Sequence, residues 1–226
     1  MAMRLDQVVP FGRSLAEYIQ MFNLTDADLQ KKILGVGDGP ASFNAEGTRL
    51  GYRIKSIDPL YIFNAEQIRD RFYAVVDQVI AQVEQTPDDW VWTYHGSPAG
   101  LRQNRERVTQ LFCEDFDQGK RQGRYEVGEL PQLKYQDNEY DLGLCSHLLF
   151  LYSDHFDEDF HLNAIAEMLR ICREVRIFPL LTLMLQPSPH LTPIVAKLEQ
   201  HGYRCTIEAV PYELQRGGNQ MLKIVR

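Results

Sequence analysis

The sequence predicts an α/β fold, a three-layer sandwich whose mostly parallel seven-stranded sheet ends in a C-terminal antiparallel hairpin. Three observations predict it. Short apolar runs alternate about five times with stretches of helical periodicity, the pattern of a parallel sheet covered on both faces. The first run empties into a glycine-rich turn, as a buried strand feeding a ligand loop does. The last two runs follow one another, joined by a loop that contains Gly217-Gly218-Asn219, which suits a hairpin. The 226 residues suit one domain spanning 1–226 better than two, and at this size no disulfide or metal is needed to hold a core.

Taken in order, the chain opens with helices. Ser14-Leu15-Ala16-Glu17 has the capping-box pattern, and Leu15, Tyr18, Ile19 and Phe22 then share a face. Thr25 to Asp28 gives a second helix start. Lys31 to Val36 is the first strand, Ser42 to Leu50 a short helix, and Tyr52 to Pro59 a second strand. Phe63 to Gln85 is the longest amphipathic stretch, with Ile68, Phe72, Val75, Val76, Val79, Ile80 and Val83 in one stripe. Thr86-Pro87 ends it, because a residue before proline leaves the helical region. Arg102 to Asp117 is a further helix whose Arg102, Arg105 and Arg107 are expected to form a solvated face, and Gly119 to Gly123 a polar turn.

Arg124 to Val127 reads as a short strand, and Tyr140 to Tyr152 contains the next one. Asp157 to Cys172 is helical, Val175 to Leu183 strand-like with Pro179 at a bulge or strand end, and Thr192 to His201 a helix closed by Gly202. Tyr203 to Tyr212 and Met221 to Val225 complete the sheet. Two stretches exceed what alternation needs: residues 1–30, expected as a helical lid, and residues 60–123, expected as a helical insertion.

Composition narrows the function. With 24 Lys and Arg against 31 Asp and Glu, the net charge of −7 argues against a binder of phosphate backbones. No run of about 18 apolar residues exists to span a membrane, and Met1 to Phe11, with Arg4 and Asp6, has no apolar signal core. Cys113, Cys145, Cys172 and Cys205 lack the close spacing of a metal knuckle or redox pair, so reduced thiols in a cytoplasmic protein are expected. Asp154 to His161 has metal-ligand residue types but reads better as an acidic helix start with Phe156 and Phe160 on its buried face. No metal site is expected. Trp90 to His95 is an aromatic cluster suited either to packing the insertion or to lining a substrate pocket.

The chemistry gathers around Gly35-Val36-Gly37-Asp38-Gly39-Pro40-Ala41. Glycines at a strand-to-helix turn let the backbone approach a ligand closely. Asp58 ends the second strand 21 residues beyond Gly37, where a carboxylate can accept both hydroxyls of a ribose. At these residues the sequence resembles the class I S-adenosylmethionine-dependent methyltransferases, a Rossmann-like family. Ile33 to Phe43 is similar to their first motif and Ser56-Ile57-Asp58 to their ribose-binding strand end. Gly128-Glu129-Leu130-Pro131 is similar to the loop beside the adenine, and Glu139 to His147 to the strand beneath the methyl donor.

The resemblance covers residues 30 to 226 and implies S-adenosyl-L-methionine as cofactor. It places Gly35, Gly37, Asp38, Gly39, Asp58, Pro59, Glu129, Leu130 and Ser146 around it, with His147 facing the transferred methyl as candidate base. For His147 the other reading is a hydrogen-bonded residue in the rim of the sheet. Two positions depart from the family. Gly35 stands where an acid usually helps hold the cofactor's ammonium, and Ala41 where a third glycine is usual. Asp38 is the candidate replacement carboxylate, or else a residue serving the turn.

By the same resemblance, the segment from Phe11 to Tyr18 is expected to close over the cofactor, so that removing residues 1–24 weakens its binding. The expected acceptor is a small molecule. Nucleic acid is disfavoured by charge and by the absence after the fourth strand of the Asn/Asp-Pro-Pro-aromatic tetrapeptide of adenine-amino methyltransferases. The alternatives are a nicotinamide-dependent oxidoreductase, which shares the glycine turn and strand-end acid, and a non-catalytic S-adenosylmethionine-binding module.

Overall fold

The computed structural model describes residues 8–226; the first seven residues of the expected 1–30 lid, including Met1, Arg4 and Asp6, lie outside the described residues. Helices α1 (Leu15–Met21) and α2 (Asp26–Leu29) each begin with a reciprocal capping box, Ser14 with Glu17 and Thr25 with Asp28. In each, a hydroxyl and a carboxylate satisfy amides that a helix start leaves unpaired. Strand β1 (Lys32–Val36) leads through the glycine loop into α3 (Phe43–Arg49) and β2 (Arg53–Ile57). A 3-10 turn at Pro59–Ile62 precedes α4 (Ala65–Gln85), which starts on an Asn64–Gln67 capping box.

Helix α5 (Pro98–Arg121) is longer than the periodicity predicted. It starts earlier because Ser97 caps it and proline suits its first position. It also runs through Gly119, which the sequence suggested was in a turn. A Cβ on Gly119 would stand 2.4 Å from the Tyr125 ring, so the glycine lets the helix press against the neighbouring strand. Then come β3 (Tyr125–Glu126), β4 (Tyr140–Ser146), α6 (Glu158–Ile171), β5 (Cys172–Phe178), α7 (Leu191–Gln200), β6 (Arg204–Ala209) and β7 (Gln220–Val225).

All seven strands form one sheet in the order β3-β2-β1-β4-β5-β7-β6, parallel except for β7, which runs antiparallel to both β5 and β6. Alternate residues of the central strands serve two cores. Ile33, Leu142 and Leu144 pack with Tyr18, Phe43, Phe72 and Val76 from α1, α3 and α4. Leu34, Val36 and Cys145 pack on the other face with Ile165, Met168, Leu169 and Ile194 from α6 and α7. The crossover from β2 to β3 is carried by α4 and α5, which pack on one another, while α5 also packs on α3. Tyr18, Met21 and Phe22 are essentially inaccessible, so α1 is part of the first core.

Candidate functional site

The sheet order reverses between β1, which continues to β2, and β4, which continues to β5; open α/β sheets bind ligands at such a switch point. A cleft opens there, lined by Gly37, Asp38, Gly39, Asp58, Pro59, Glu129, Leu130, Ser146 and His147. Gly37 and Gly39 take left-handed φ of 71° and 54°, which glycine adopts without the Cβ penalty. A Cβ built on Gly39 would meet nothing within 4 Å, so the backbone there faces open space.

Asp58 braces this loop. Its Oδ2 accepts from Gly39 N–H at 2.8 Å and its Oδ1 from Leu60 N–H at 2.8 Å. Tyr61 Oη adds a bond to Gly39 O at 2.8 Å. Burial pushes the Asp58 carboxyl up to about 6, against the two amides that favour the charged form.

Gly35 is the one residue of the expected set that does not line the cleft. Its Cβ position is taken: an atom there would lie 2.0 Å from Asp38 Oδ2. Asp38 folds back over Gly35, so its carboxylate fills the place of an acidic side chain projecting from residue 35. In register, Gly35 sits opposite Ser56 on β2. Ser56 Oγ donates to Asp38 Oδ2 at 2.6 Å, and Tyr18 Oη donates to Oδ1 at 2.6 Å. Burial raises the Asp38 carboxyl to about 7, with the two hydroxyl donors opposing the rise and Asp58 adding to it. The sequence placed Tyr18 in the segment expected to close over the cofactor and Ser56 at the end of the second strand, but marked neither as a partner of Asp38, since each fits the apolar or alternating pattern of its own element.

Across the cleft, β4 ends at Ser146 and the chain turns through His147 with φ 55°, an unusual conformation for a non-glycine residue. His147 N–H donates to Phe178 O at 2.7 Å, and its Nδ1 lies 2.8 Å from Ser146 Oγ. Ser146 Oγ also stands 3.9 Å from Met21 Sδ, positioned to donate to it. When it does so, Ser146 accepts from Nδ1–H and His147 presents Nε2 as the basic nitrogen. Burial, then the charges of Arg13 and Arg105, hold the imidazole well below its usual pKa, so the ring is neutral at pH 7.

Behind His147 lies a second, inner cavity. Its wall includes Phe11, Trp90, Leu151, Phe178, Leu183 and Tyr212, and both Arg13 and His147 border it as well as the outer cleft. Trp90 of the aromatic cluster thus faces a cavity, while His95 is buried against Tyr212 Oη at 3.1 Å. The inner cavity rests on a buried ion pair. Arg105 Nη2 and Nη1 grip Glu17 Oε1 and Oε2 at 2.7 and 2.9 Å, while Asn104, Ser14 and Tyr212 donate further bonds to the same carboxylate. Arg105 is 1% exposed, which corrects the expectation of a solvated arginine face. Arg102, half-exposed and paired with Asp77 and Glu106, does follow that expectation.

The N-terminal segment reaches the cleft through Val8, Val9, Pro10, Phe11 and Arg13. Gly12 allows this approach, since a Cβ there would stand 2.0 Å from Pro40 O. Phe156 and Phe160 stack at 4.3 Å on the cleft's far rim, and Phe156 precedes α6 rather than lying on it. No group of three metal-ligating side chains occurs among the described residues. Nor is any described helix long and apolar enough to cross a membrane.

No family model matches the chain. Over 225 residues it is 33% identical to the uncharacterized protein MJ0045 of Methanocaldococcus jannaschii, covering 99% of each chain. The chain belongs to the MJ0045 family. Among solved structures, this member of the family is similar to PH0226 protein from Pyrococcus horikoshii OT3, with TM-score 0.50 and 8% identity over 93% of this chain and 90% of that one. Magnesium protoporphyrin IX methyltransferase from Synechocystis PCC 6803 with bound SAM gives TM-score 0.46 and 14% identity over 89% of this chain and 73% of that one. In its strand order and antiparallel closing pair, the MJ0045-family chain has the fold of the class I methyltransferases.

Proposed function

We propose that the protein is an S-adenosylmethionine-dependent methyltransferase acting on a small-molecule acceptor. The observation that carries this reading is the bridge from the Gly39 amide to Asp58 at the switch point of a sheet with this strand order. The residues fit the cofactor in three respects. Each oxygen of Asp58 accepts one amide and keeps a second lone-pair direction, enough for a ribose diol. The open space over Gly39 gives the methionine end its approach, with Asp38 the acid within that loop. Glu129 and Leu130 line the end of the cleft that suits the adenine.

S-adenosylmethionine supplies a methyl group already activated on a sulfonium sulfur, so the protein's contribution is alignment and exclusion of water. His147 borders both the outer cleft and the inner cavity, and Ser146 lines the cleft beside it. The acceptor belongs in that inner cavity, where neutral His147 is placed to take a proton from an acceptor that must lose one.

Thermal unfolding with added ligand tests the reading. S-adenosylhomocysteine, the demethylated product, raises the unfolding temperature with a concentration dependence set by RT ln(1 + [L]/Kd), and NADH leaves it unchanged. Stabilisation by NADH alone overturns the reading in favour of an oxidoreductase.

A further inference from the structure

Arg13 borders the inner cavity as a cation with no carboxylate paired to it among the described residues. Arg13 Nη1 donates to the carbonyl of Phe11 nearby, while its buried Nε has no hydrogen-bond partner. The other arginine on the wall, Arg105, is spoken for: both of its terminal nitrogens lie on Glu17, and that pair sums to zero charge. Neither histidine beside the cavity adds a charge or removes one. His95 is held down to about 4 by burial and then by Arg105, and His147 is neutral as described. No aspartate or glutamate lines the cavity among the described residues. Apart from Gln215 and Gly218, the remainder of the wall is aromatic and aliphatic.

A guanidinium with an orphaned donor in an apolar chamber is costly unless an anion completes it. Arg13 is also at the right place to matter, because it borders the inner cavity and the outer cleft together, as His147 does. The geometry points to an acceptor that is an apolar carboxylic acid, its carboxylate held by Arg13 and its hydrocarbon or aromatic body packed among Phe11, Trp90, Leu151, Phe178 and Tyr212. This rests on the methyltransferase reading for the word acceptor, and on the cavity alone for the chemistry of the ligand. Planar and bidentate, the guanidinium suits a carboxylate better than a lysine ammonium does.

Calorimetry on the full chain tests this with 4-phenylbutanoate and 3-(indol-3-yl)propanoate, each against its primary amide, with and without saturating S-adenosylhomocysteine. Both acids bind wild type at least about tenfold tighter than their amides, the range expected for a charge-assisted pair. Arg13→Gln abolishes that preference, Arg13→Lys keeps part of it, and both variants bind S-adenosylhomocysteine within about twofold of wild type. Equal affinity for acid and amide, or no binding of either acid, overturns the inference. So does an Arg13→Gln variant that loses S-adenosylhomocysteine about tenfold, since Arg13 would then serve the cofactor. Failure of wild type to bind S-adenosylhomocysteine overturns the methyltransferase reading instead, and an acid preference on the free protein still stands as a result about this cavity.

Discussion

Asp38 keeps its proton to about pH 7 because burial outweighs the two hydroxyls that hydrogen-bond to it. In the unfolded chain the same carboxyl ionises near 4. Between those values the native state holds a proton that the unfolded state has released, so this site's stability is fully present below about pH 4 and is lost as pH rises through 7. Asp38→Asn removes that dependence while keeping an oxygen for Tyr18 and adding a donor toward Ser56. The variant therefore gains on wild type as pH rises from about 4 to 7, by a few kcal/mol at about 1.4 kcal/mol per unit. Denaturant midpoints at several pH values across that window measure it, and parallel curves for the two proteins refute it. Asp58 is raised in the same direction and stays in both proteins, so the wild-type slope shrinks in the variant rather than vanishing. If Asp38 holds the cofactor's ammonium, S-adenosylhomocysteine binding near pH 7 also releases a proton from wild type and none from Asp38→Asn. The acid at this loop was legible in the sequence. Its fold-back over Gly35 was not, because the partners come from residues 18 and 56, and proximity of that kind is set by β1 pairing with β2 and by α1 lying across α3.

Among the elements, α1 shows most plainly what a local pattern reveals and what it hides. Its start was readable from Ser14 and Glu17, since a capping box is a four-residue motif. That the same Glu17 also anchors Arg105, 88 residues away, has no local signature. Arg105 lies among polar residues at spacings that suit a wet helix face, and the structure buries it against Glu17 of α1 and the hydroxyl of Tyr212. Glu17 is held at about 2: burial works to raise it, but Arg105 and the amide of Ser14 outweigh burial. Its stabilising contribution is present above about pH 4.5 and lost as pH falls toward 2. Breaking one side of such a pair strands a buried charge, typically at about 3–5 kcal/mol. Arg105→Met alone, with Glu17 left ionised in a dry site, is expected in that range. Adding Glu17→Gln recovers part of the loss, because the stranded charge goes with it. A double-mutant cycle by chemical denaturation checks this, and additive losses would show that the two side chains do not act as a unit. The same anchoring means that deleting residues 1–24 removes Tyr18, Met21 and Phe22 from the core, so such a truncation reports on folding before it reports on cofactor binding.

At the scale of the whole molecule, the fold was legible because sheet proteins of this class write their topology into periodicity: apolar runs for buried parallel strands, amphipathic stretches for the helices covering them. The outer cleft was legible too, since its residues fall at strand ends that the pattern locates. The inner cavity was not. Phe11, Trp90, Leu151, Phe178 and Tyr212 come from five separate segments, and only the completed fold brings them to one space. Charge belongs to this scale as well. The surplus of acid over base is reinforced by pairing: Lys31 and Lys223 reach Glu174, Lys55 reaches Glu126, Lys197 reaches Glu158, and Arg170 is shared by Glu167 and Asp137. A protein that holds nucleic acid needs clustered cations left free to displace counterions from phosphates, and the affinity so gained falls steeply with salt. Here many of the described cations are paired with neighbouring carboxylates, and Arg13, whose Nε has no hydrogen-bond partner, lines a largely apolar cavity. The protein is therefore expected to leave the mobility of a duplex DNA and of a single-stranded RNA unchanged at about 10 μM and near-physiological salt, a concentration at which nonspecific binders of phosphate backbones begin to shift. A shift that weakens as salt is raised would show a basic surface that these pairs do not neutralise, and would reopen nucleic acid as the acceptor.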